Sequence, residues 1–117
     1  MKYLLMIYGD DQAWANLSDE ERQAMYAEYM AVSDSPGILG GAELAPSSTA
    51  TTVRVRDGET LTTDGPFAET KEVLGGYYLI DVETIDEALE WAAKLPGSWY
   101  GTVEVRPVVT NYETMSA

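Results

Sequence analysis

Two strand-like segments that are apolar on both faces constrain the fold most. Residues 3–8 read Tyr-Leu-Leu-Met-Ile-Tyr, and residues 75–82 read Gly-Gly-Tyr-Tyr-Leu-Ile-Asp-Val. Successive side chains of a strand point to opposite faces, so a run without polar alternation indicates a strand covered on both sides. The chain therefore predicts a sheet with two fully covered central strands.

Helix starts are marked by two capping boxes. Ser18 is followed three residues later by Glu21, and Thr84 by Glu87. In this pattern a hydroxyl and a carboxylate satisfy backbone N–H groups at the helix start. Apolar residues at helical spacing follow in both segments. We expect one helix over about residues 19–33 and a second from residue 85 to the Pro96-Gly97 stop.

The remaining elements are short strands and one hairpin. Asp57-Gly58 separates two alternating segments, 51–56 and 59–63, and predicts a two-residue turn that pairs Arg56 with Glu59 and Arg54 with Leu61. A short strand is expected near residues 42–45 and a last one over 102–109. Pro107 places this last strand at an edge or ends it.

The order strand, helix, strand, hairpin, strand, helix, strand predicts an α+β fold. It is a ferredoxin-like split βαβ with an inserted β-hairpin, in which the first and third main strands are central. The 117 residues suit one domain, which we place at 1–112, with 113–117 as a frayed tail.

Two helices can cover only one face of such a sheet. A second copy of the chain is the simplest cover for the other face, which predicts a C2 homodimer, a dimeric α/β barrel. We expect the buried face between subunits to hold one of two parity sets. One set is Tyr3, Leu5, Ile7, Tyr77 and Leu79, and the other consists of the neighbours of opposite parity.

Composition narrows the chemistry. The formal net charge of −13 argues against nucleic acid and anionic membranes as partners, and no segment approaches the ~20 apolar residues of a membrane span. The chain has no Cys, which suits a reducing cytoplasm, and no His, the commonest general base. Acid–base work would fall to Asp, Glu, Tyr, Lys or water. We expect no metal and no cofactor, because no acidic loop has calcium-binding spacing.

Four segments carry a resemblance to a known family. They are Thr-Val-Arg-Val-Arg-Asp-Gly at 52–58, Thr-Asp-Gly-Pro-Phe-Ala-Glu-Thr-Lys-Glu at 63–72, Gly-Gly-Tyr-Tyr-Leu-Ile at 75–80 and Val-Glu-Val-Arg-Pro-Val at 103–108. Together they resemble the YCII-related, DGPF-domain family. The resemblance implies a ferredoxin-like fold that dimerises through its sheets, with a pocket between sheet and partner. Some relatives are enzymes with a His–Asp pair, which a chain without His cannot form. Some members are linked to extracytoplasmic-function sigma factors.

Within the 63–72 motif, Asp64 is the candidate catalytic acid or base, since it precedes Gly65-Pro66 at a strand end. The alternative is a turn residue that bonds its own backbone. Phe67 is either a core residue or a stacking platform for a ligand. Lys71, with Glu69 and Glu72, either lines a pocket mouth or belongs to a solvated loop.

Four of the chain's seven bases lie in or next to the predicted sheet, namely Arg54, Arg56, Lys71 and Arg106. They are candidates for holding an anionic ligand, and cross-strand pairing is the alternative. Tyr77 and Tyr8 either offer their phenol hydroxyls to a ligand, which Tyr77 would orient, or pack in the dimer core. Two functions stay open: a small-molecule enzyme or binder with an anionic-ligand cleft at the dimer interface, and a non-catalytic regulatory or protein-interaction module.

Overall fold

The fold is a four-stranded antiparallel sheet with helices packed on one side, and the computed structural model describes residues 1–109. The strands are β1 (Lys2–Gly9), β2 (Ile38–Glu43), β3 (Thr51–Arg56), β4 (Glu59–Asp64), β5 (Val73–Asp81) and β6 (Thr102–Pro107). The helices are α1 (Asp11–Ala15), α2 (Asp19–Ser33), α3 (Ile85–Lys94) and α4 (Pro96–Tyr100), and a 3-10 turn spans Ser47–Thr49. The tail predicted at 113–117 lies outside the described residues.

The sheet order is β2-β5-β1-β6, and every neighbouring pair is antiparallel. This is the ferredoxin-like α+β arrangement that the element order predicts, with β3 and β4 inserted between the second and third main strands. The two strands that are apolar on both faces, β1 and β5, occupy the centre. The prediction of central strands is therefore confirmed.

The helix-covered face of the sheet is set by the pairing of β1 with β5. Leu5 lies opposite Tyr78 and Tyr3 opposite Ile80, and all four are buried in the core. The core also contains Val32 of α2, Ala88 and Ala92 of α3, and Leu95.

The opposite surface, the open face, carries Leu4, Met6, Tyr77 and Leu79, because Met6 pairs with Tyr77 and Leu4 with Leu79. The predicted grouping of Tyr3 and Leu5 with Tyr77 is therefore wrong. A difference of one residue in register moves a side chain to the other face.

Both predicted N-caps start helices where expected, with a reciprocal capping box at Ser18 and, among the described contacts, the hydroxyl cap alone at Thr84. The Ser18 hydroxyl accepts the Glu21 N–H at 3.1 Å, and the Glu21 carboxylate accepts the Ser18 N–H at 3.2 Å. The Thr84 hydroxyl accepts the Glu87 N–H at 3.3 Å.

Two short helices were not predicted, because five residues are too few to show helical periodicity. Asp10 caps α1 by accepting the Gln12 N–H at 2.9 Å. Pro96, interpreted as a stop, is instead the first residue of α4, a position at which Pro is favoured.

Strand bounds differ from prediction at three places. β2 begins at Ile38 and not near residue 42, since Ile38 lies opposite Ile80 and packs against the core. β5 begins two residues earlier than expected, at Val73, and β6 ends at Pro107 and not at residue 109. β6 is an edge strand, as Pro107 indicates.

The hairpin of β3 and β4, here called the hairpin arm (residues 51–64), forms a separate two-stranded sheet. Its register matches the prediction, with Arg56 opposite Glu59 and Arg54 opposite Leu61. Asp57 and Gly58 have φ of +52° and +77°, as the tight turn requires. The radius of gyration is 16.2 Å, whereas about 13 Å is typical of a compact chain of this length. An arm that extends from the main sheet accounts for the difference.

Candidate functional site

A cavity of about 490 Å³ lies on the helix side of the sheet, next to the end of β1. Its walls come from β1, α1, α2, β2, the start of β5 and α4. We call it the aromatic cavity after the rings of Trp14, Tyr26, Tyr29, Tyr78 and Tyr100 that line it. Tyr8 also borders the cavity, but its hydroxyl lies 3.8 Å from Sδ of Met6, a residue of the open face.

Glycines keep this space open where backbone and rings meet. A Cβ added at Gly41 of β2 would stand 2.6 Å from the Tyr78 ring and 2.6 Å from the Tyr77 carbonyl oxygen. A Cβ at Gly97 would stand 3.1 Å from the Tyr29 hydroxyl and would clash with Ile7. The absence of side chains at these positions lets the two tyrosines line the cavity.

One wall is a hydrogen-bonded pair of tyrosines. The rings of Tyr29 and Tyr78 stack with centroids 6.3 Å apart. The Tyr78 hydroxyl donates to the Tyr29 carbonyl oxygen at 2.9 Å and lies 3.0 Å from the Ser33 hydroxyl. The Tyr29 hydroxyl accepts the Gly97 N–H at 2.9 Å. Burial raises the pKa of Tyr29, and the Gly97 N–H opposes this in part. Both rings are thus held in fixed positions.

A second wall pairs a phenol with a carboxylate. The Tyr26 hydroxyl donates to Glu43 Oε1 at 3.1 Å. The Trp14 ring meets the Tyr26 ring edge-on, with centroids 5.6 Å apart. Desolvation raises the pKa of Tyr26, and the hydrogen bond and charge of Glu43 raise it further, while Arg22 lowers it. This pair can donate and accept hydrogen bonds at the cavity surface.

The charged groups lining the aromatic cavity are all acidic. They are Asp10, Asp11 and Glu43, and none of the described lining residues is Lys or Arg. Asp11 Oδ2 accepts both the backbone N–H and the hydroxyl of Ser47, at 3.0 and 2.6 Å. Within residues 1–109 no cluster of three or more Asp or Glu side chains is placed to hold a metal ion.

The predicted catalytic residue lies elsewhere. Asp64 is exposed at the end of β4, opposite Thr51, and its carboxylate makes no hydrogen bond to another residue in the range 1–109. Arg54 lies opposite Leu61, so its side chain is on the other face of the hairpin arm. The structure of the single chain therefore does not bring Asp64 and Arg54 together.

Two predicted ligand-binding residues share the open face. Tyr77 lies opposite Met6 and Arg106 opposite Leu4, and alternate residues of one strand point the same way. The Arg106 Nε is 4.0 Å from a Glu104 carboxylate oxygen, a weak pairing between exposed groups.

The other two predicted ligand-binding residues lie in the loop after the hairpin arm. Phe67 is 79% exposed, so the core interpretation is wrong for the single chain. Lys71 is also exposed. Of the predicted site residues, only Tyr8 is among the described lining residues of the aromatic cavity, and its hydroxyl donates to Met6 Sδ at 3.8 Å. The end of the 63–72 motif does approach the cavity, because Val73 is a lining residue and the Glu72 carboxylate accepts the Thr102 hydroxyl at 3.0 Å.

Apart from Tyr8, sequence reasoning missed the residues that line this cavity. Tyr26, Tyr29 and Met30 belong to the apolar pattern that predicts the first helix, and Trp14 has no spacing that marks it as part of a site. One signal for these residues existed. Helix α2 carries Tyr and Met side chains on a face that the rest of the chain leaves partly exposed.

Comparison with known proteins gives three findings. A sequence model of the YCII-related domain matches residues 1–111. An uncharacterized protein of Rhizobium meliloti (strain 1021) is 41% identical over 114 residues, with 92% of each chain covered.

The third finding is structural. 5-Chloro-2-hydroxyhydroquinone dehydrochlorinase of Burkholderia phenoliruptrix AC1100, solved in complex with 2,5-dihydroxybenzoquinone, superposes with a TM-score of 0.55. The match covers 97% of this chain and 98% of that one at 14% identity, a likeness of fold. In the described part of the chain no helix is long and apolar enough to span a membrane.

Proposed function

Since the chain belongs to the YCII-related domain family, we propose that it is a small-molecule binding protein whose ligand occupies the aromatic cavity. The observation that carries the proposal is the cavity itself, at about 490 Å³. Ligand sites of proteins typically measure about 300–1,000 Å³ and combine an apolar lining with a few placed polar groups. Here the rings supply the apolar lining, and the Tyr26–Glu43 pair and the hydroxyl of Ser33 supply the polar groups.

A ligand screen by thermal shift tests the proposal. The panel consists of small ring compounds, including phenols and 2,5-dihydroxybenzoquinone, the compound bound in the structural neighbour. Trp14→Ala removes one wall of the cavity and should abolish the shift that a ligand produces. Trp99→Ala is the matched control, because Trp99 lies outside this cavity and is 59% exposed. If no ring compound gives a shift that depends on Trp14, the proposal is wrong.

We also propose a homodimer that buries the open face, in the form of a dimeric α/β barrel. Support comes from Leu4, Met6 and Leu79, which lie on the face opposite the helices. The hairpin arm adds Val53 and Val55, which are exposed on one and the same face of the arm. Leu79→Arg should give a monomer in light scattering, whereas Leu89→Arg on the exposed side of α3 should not. A monomeric wild-type protein at micromolar concentration would contradict the dimer.

A cleft for a small anionic ligand at that interface is a second candidate site. It is favoured by the position of Arg106 and Tyr77 on the open face, where a partner subunit would enclose them. Asp64, Arg54, Phe67 and Lys71 would then come from the hairpin arm and the loop after it. Phosphate binding that is lost in Arg106→Gln but retained in Trp14→Ala would assign the anion to this cleft, and phosphate binding unaffected by Arg106→Gln would count against it.

The alternative function is a non-catalytic regulatory or protein-interaction module in the cytoplasm, linked to sigma-factor regulation. The net charge of −13 would suit a basic partner. This alternative predicts that no small molecule stabilises the protein through the aromatic cavity. The ligand screen therefore separates the two functions.

A further inference from the structure

The charged residues that line the aromatic cavity are all acidic. Its ionised lining groups are the carboxylates of Asp10, Asp11 and Glu43. Each of them uses one oxygen in a hydrogen bond and has no described partner for the other. Three carboxylates thus retain acceptor capacity at the border of one cavity.

No Lys or Arg is among the described residues that line the cavity, so these carboxylates have no cation beside them in its wall. The nearest described cation on α2, Arg22, donates its Nη2 to the carbonyl oxygens of Ala15 and Trp14, at 2.7 and 3.4 Å. Its guanidinium is therefore held by the end of α1, and Arg22 is not a lining residue. The net charge of −13 adds a negative potential from the rest of the chain. Arg22 is near enough to lower the pKa of Tyr26, but its single charge faces three lining carboxylates, so an anionic ligand would meet net repulsion here.

The aromatic rings also favour a positively charged ligand. The face of a Tyr or Trp ring is the negative end of its quadrupole and attracts ammonium groups within about 6 Å. Trp14 and Tyr26 meet edge to face beside Glu43, so ring faces and a carboxylate occupy the same wall. This wall can contact an apolar ring and, at its acidic end, a cationic group.

We propose that the aromatic cavity selects a ring compound bearing a protonated amine, with Glu43 as the carboxylate that contacts the ammonium group. This rests on the proposed function, since it specifies the ligand class of the same cavity. The ring of the ligand packs against Trp14 and Tyr26, and the ammonium donates to the Glu43 oxygen that Tyr26 leaves unused.

Three probes that share a ring and differ in charge test the selection. They are tyramine, which is cationic, para-propylphenol, which is neutral, and para-hydroxyphenylpropionate, which is anionic. Binding is measured by calorimetry with the wild-type protein. Tyramine should bind about threefold to tenfold more tightly than the anion, because Glu43 is exposed, an exposed charge pair contributes up to about 1 kcal/mol, and the anion is repelled.

Glu43→Gln isolates the carboxylate, because the amide oxygen can still accept the Tyr26 hydroxyl. We expect this variant to weaken tyramine binding about threefold to fivefold and to change para-propylphenol binding less than about twofold, since Glu43 is exposed. Glu90→Gln makes the same change in net charge on exposed α3, outside the cavity, and should leave both affinities unchanged.

The outcomes separate the two proposals. Tighter binding of the anion, or equal loss of tyramine binding in Glu43→Gln and Glu90→Gln, would overturn the selection while leaving the cavity as a binding site. Failure of all three probes and of every other ring compound to bind in a Trp14-dependent manner would refute the proposed function itself. Tyramine binding that depends on both Trp14 and Glu43 supports both proposals.

Discussion

Replacing Tyr78 by Phe tests the assignment of the two sheet faces. The Tyr78 side chain is 8% exposed, and its hydroxyl donates to the Tyr29 carbonyl oxygen and lies 3.0 Å from the Ser33 hydroxyl. Ser33 also donates to the same carbonyl oxygen at 3.0 Å. Removing the Tyr78 hydroxyl therefore leaves both partners bonded to each other.

The size of the effect follows from this arrangement. A typical hydrogen bond contributes about 0.5–1.5 kcal/mol net, and an additional penalty of about 1–3 kcal/mol arises when a buried partner is left unsatisfied. Because no partner of Tyr78 is left unsatisfied, we expect the free energy of unfolding to fall by about 1–1.5 kcal/mol. For a domain of this size that corresponds to a melting temperature lower by roughly 4–6 °C.

Tyr77→Phe is the matched control, one residue away on the same strand. Tyr77 lies on the open face, is 37% exposed, and its hydroxyl makes no hydrogen bond within residues 1–109. We expect a change below about 0.5 kcal/mol. Urea unfolding followed by circular dichroism, repeated at two protein concentrations to detect any change in self-association, measures both variants. If Tyr77→Phe lowered the free energy of unfolding as much as Tyr78→Phe or more, the face assignment would be wrong. A loss above about 3 kcal/mol in Tyr78→Phe would show that the Tyr29 carbonyl and the Ser33 hydroxyl do not remain bonded to each other.

Three other predictions concern local structure. Ser18→Ala and Thr84→Ala should each lower the free energy of unfolding by about 1 kcal/mol, since each hydroxyl caps a helix; unchanged denaturation midpoints would contradict the assigned helix starts. Gly41→Ala should destabilise by about 1–3 kcal/mol, because its Cβ would overlap β5. A Cβ added at Gly40 would meet nothing within 4 Å, so Gly40→Ala should destabilise the protein less than Gly41→Ala. A larger loss of stability in Gly40→Ala would exclude the close approach of β2 to β5. Finally, burial raises the pKa of Tyr29 above 10.0. The unfolded state therefore loses this proton first, and stability falls as pH rises above about 10. Stability should fall less steeply in Tyr29→Phe between about pH 9 and about pH 11, and identical slopes would contradict the raised pKa.

Elements that depend on local chemistry could be predicted from the sequence. The Asp57-Gly58 turn fixes the hairpin register because its backbone twist matches that of the strands. The hydroxyl of Ser18 starts α2 because it reaches an N–H within the same turn. The central positions of β1 and β5 followed from their two apolar faces, since only a covered strand tolerates both.

The candidate site could not be predicted in the same way. The motif at 63–72 directed attention to Asp64, whereas the cavity is built from α1, α2 and the ends of β1 and β5. The five residues of α1 are too short for periodicity to reveal a helix. The opposite orientation of Arg54 and Asp64, by contrast, could be read from the predicted register. The two residues stand three positions apart in the ladder, and an odd separation places side chains on opposite faces.

The sequence by itself determined the two longer helices, the order of the strands and the two central strands, because caps, turns and alternation act over a few residues. It could not determine which face of β1 and β5 the helices cover, since Leu4 and Leu5 are equally apolar. That choice was made by the packing of Val32 and Ala88 against Leu5, Tyr78 and their neighbours. The same packing brought Tyr26 and Glu43, which are 17 residues apart, to one wall of a cavity. Contacts between distant segments depend on how whole elements pack, and no local pattern specifies them.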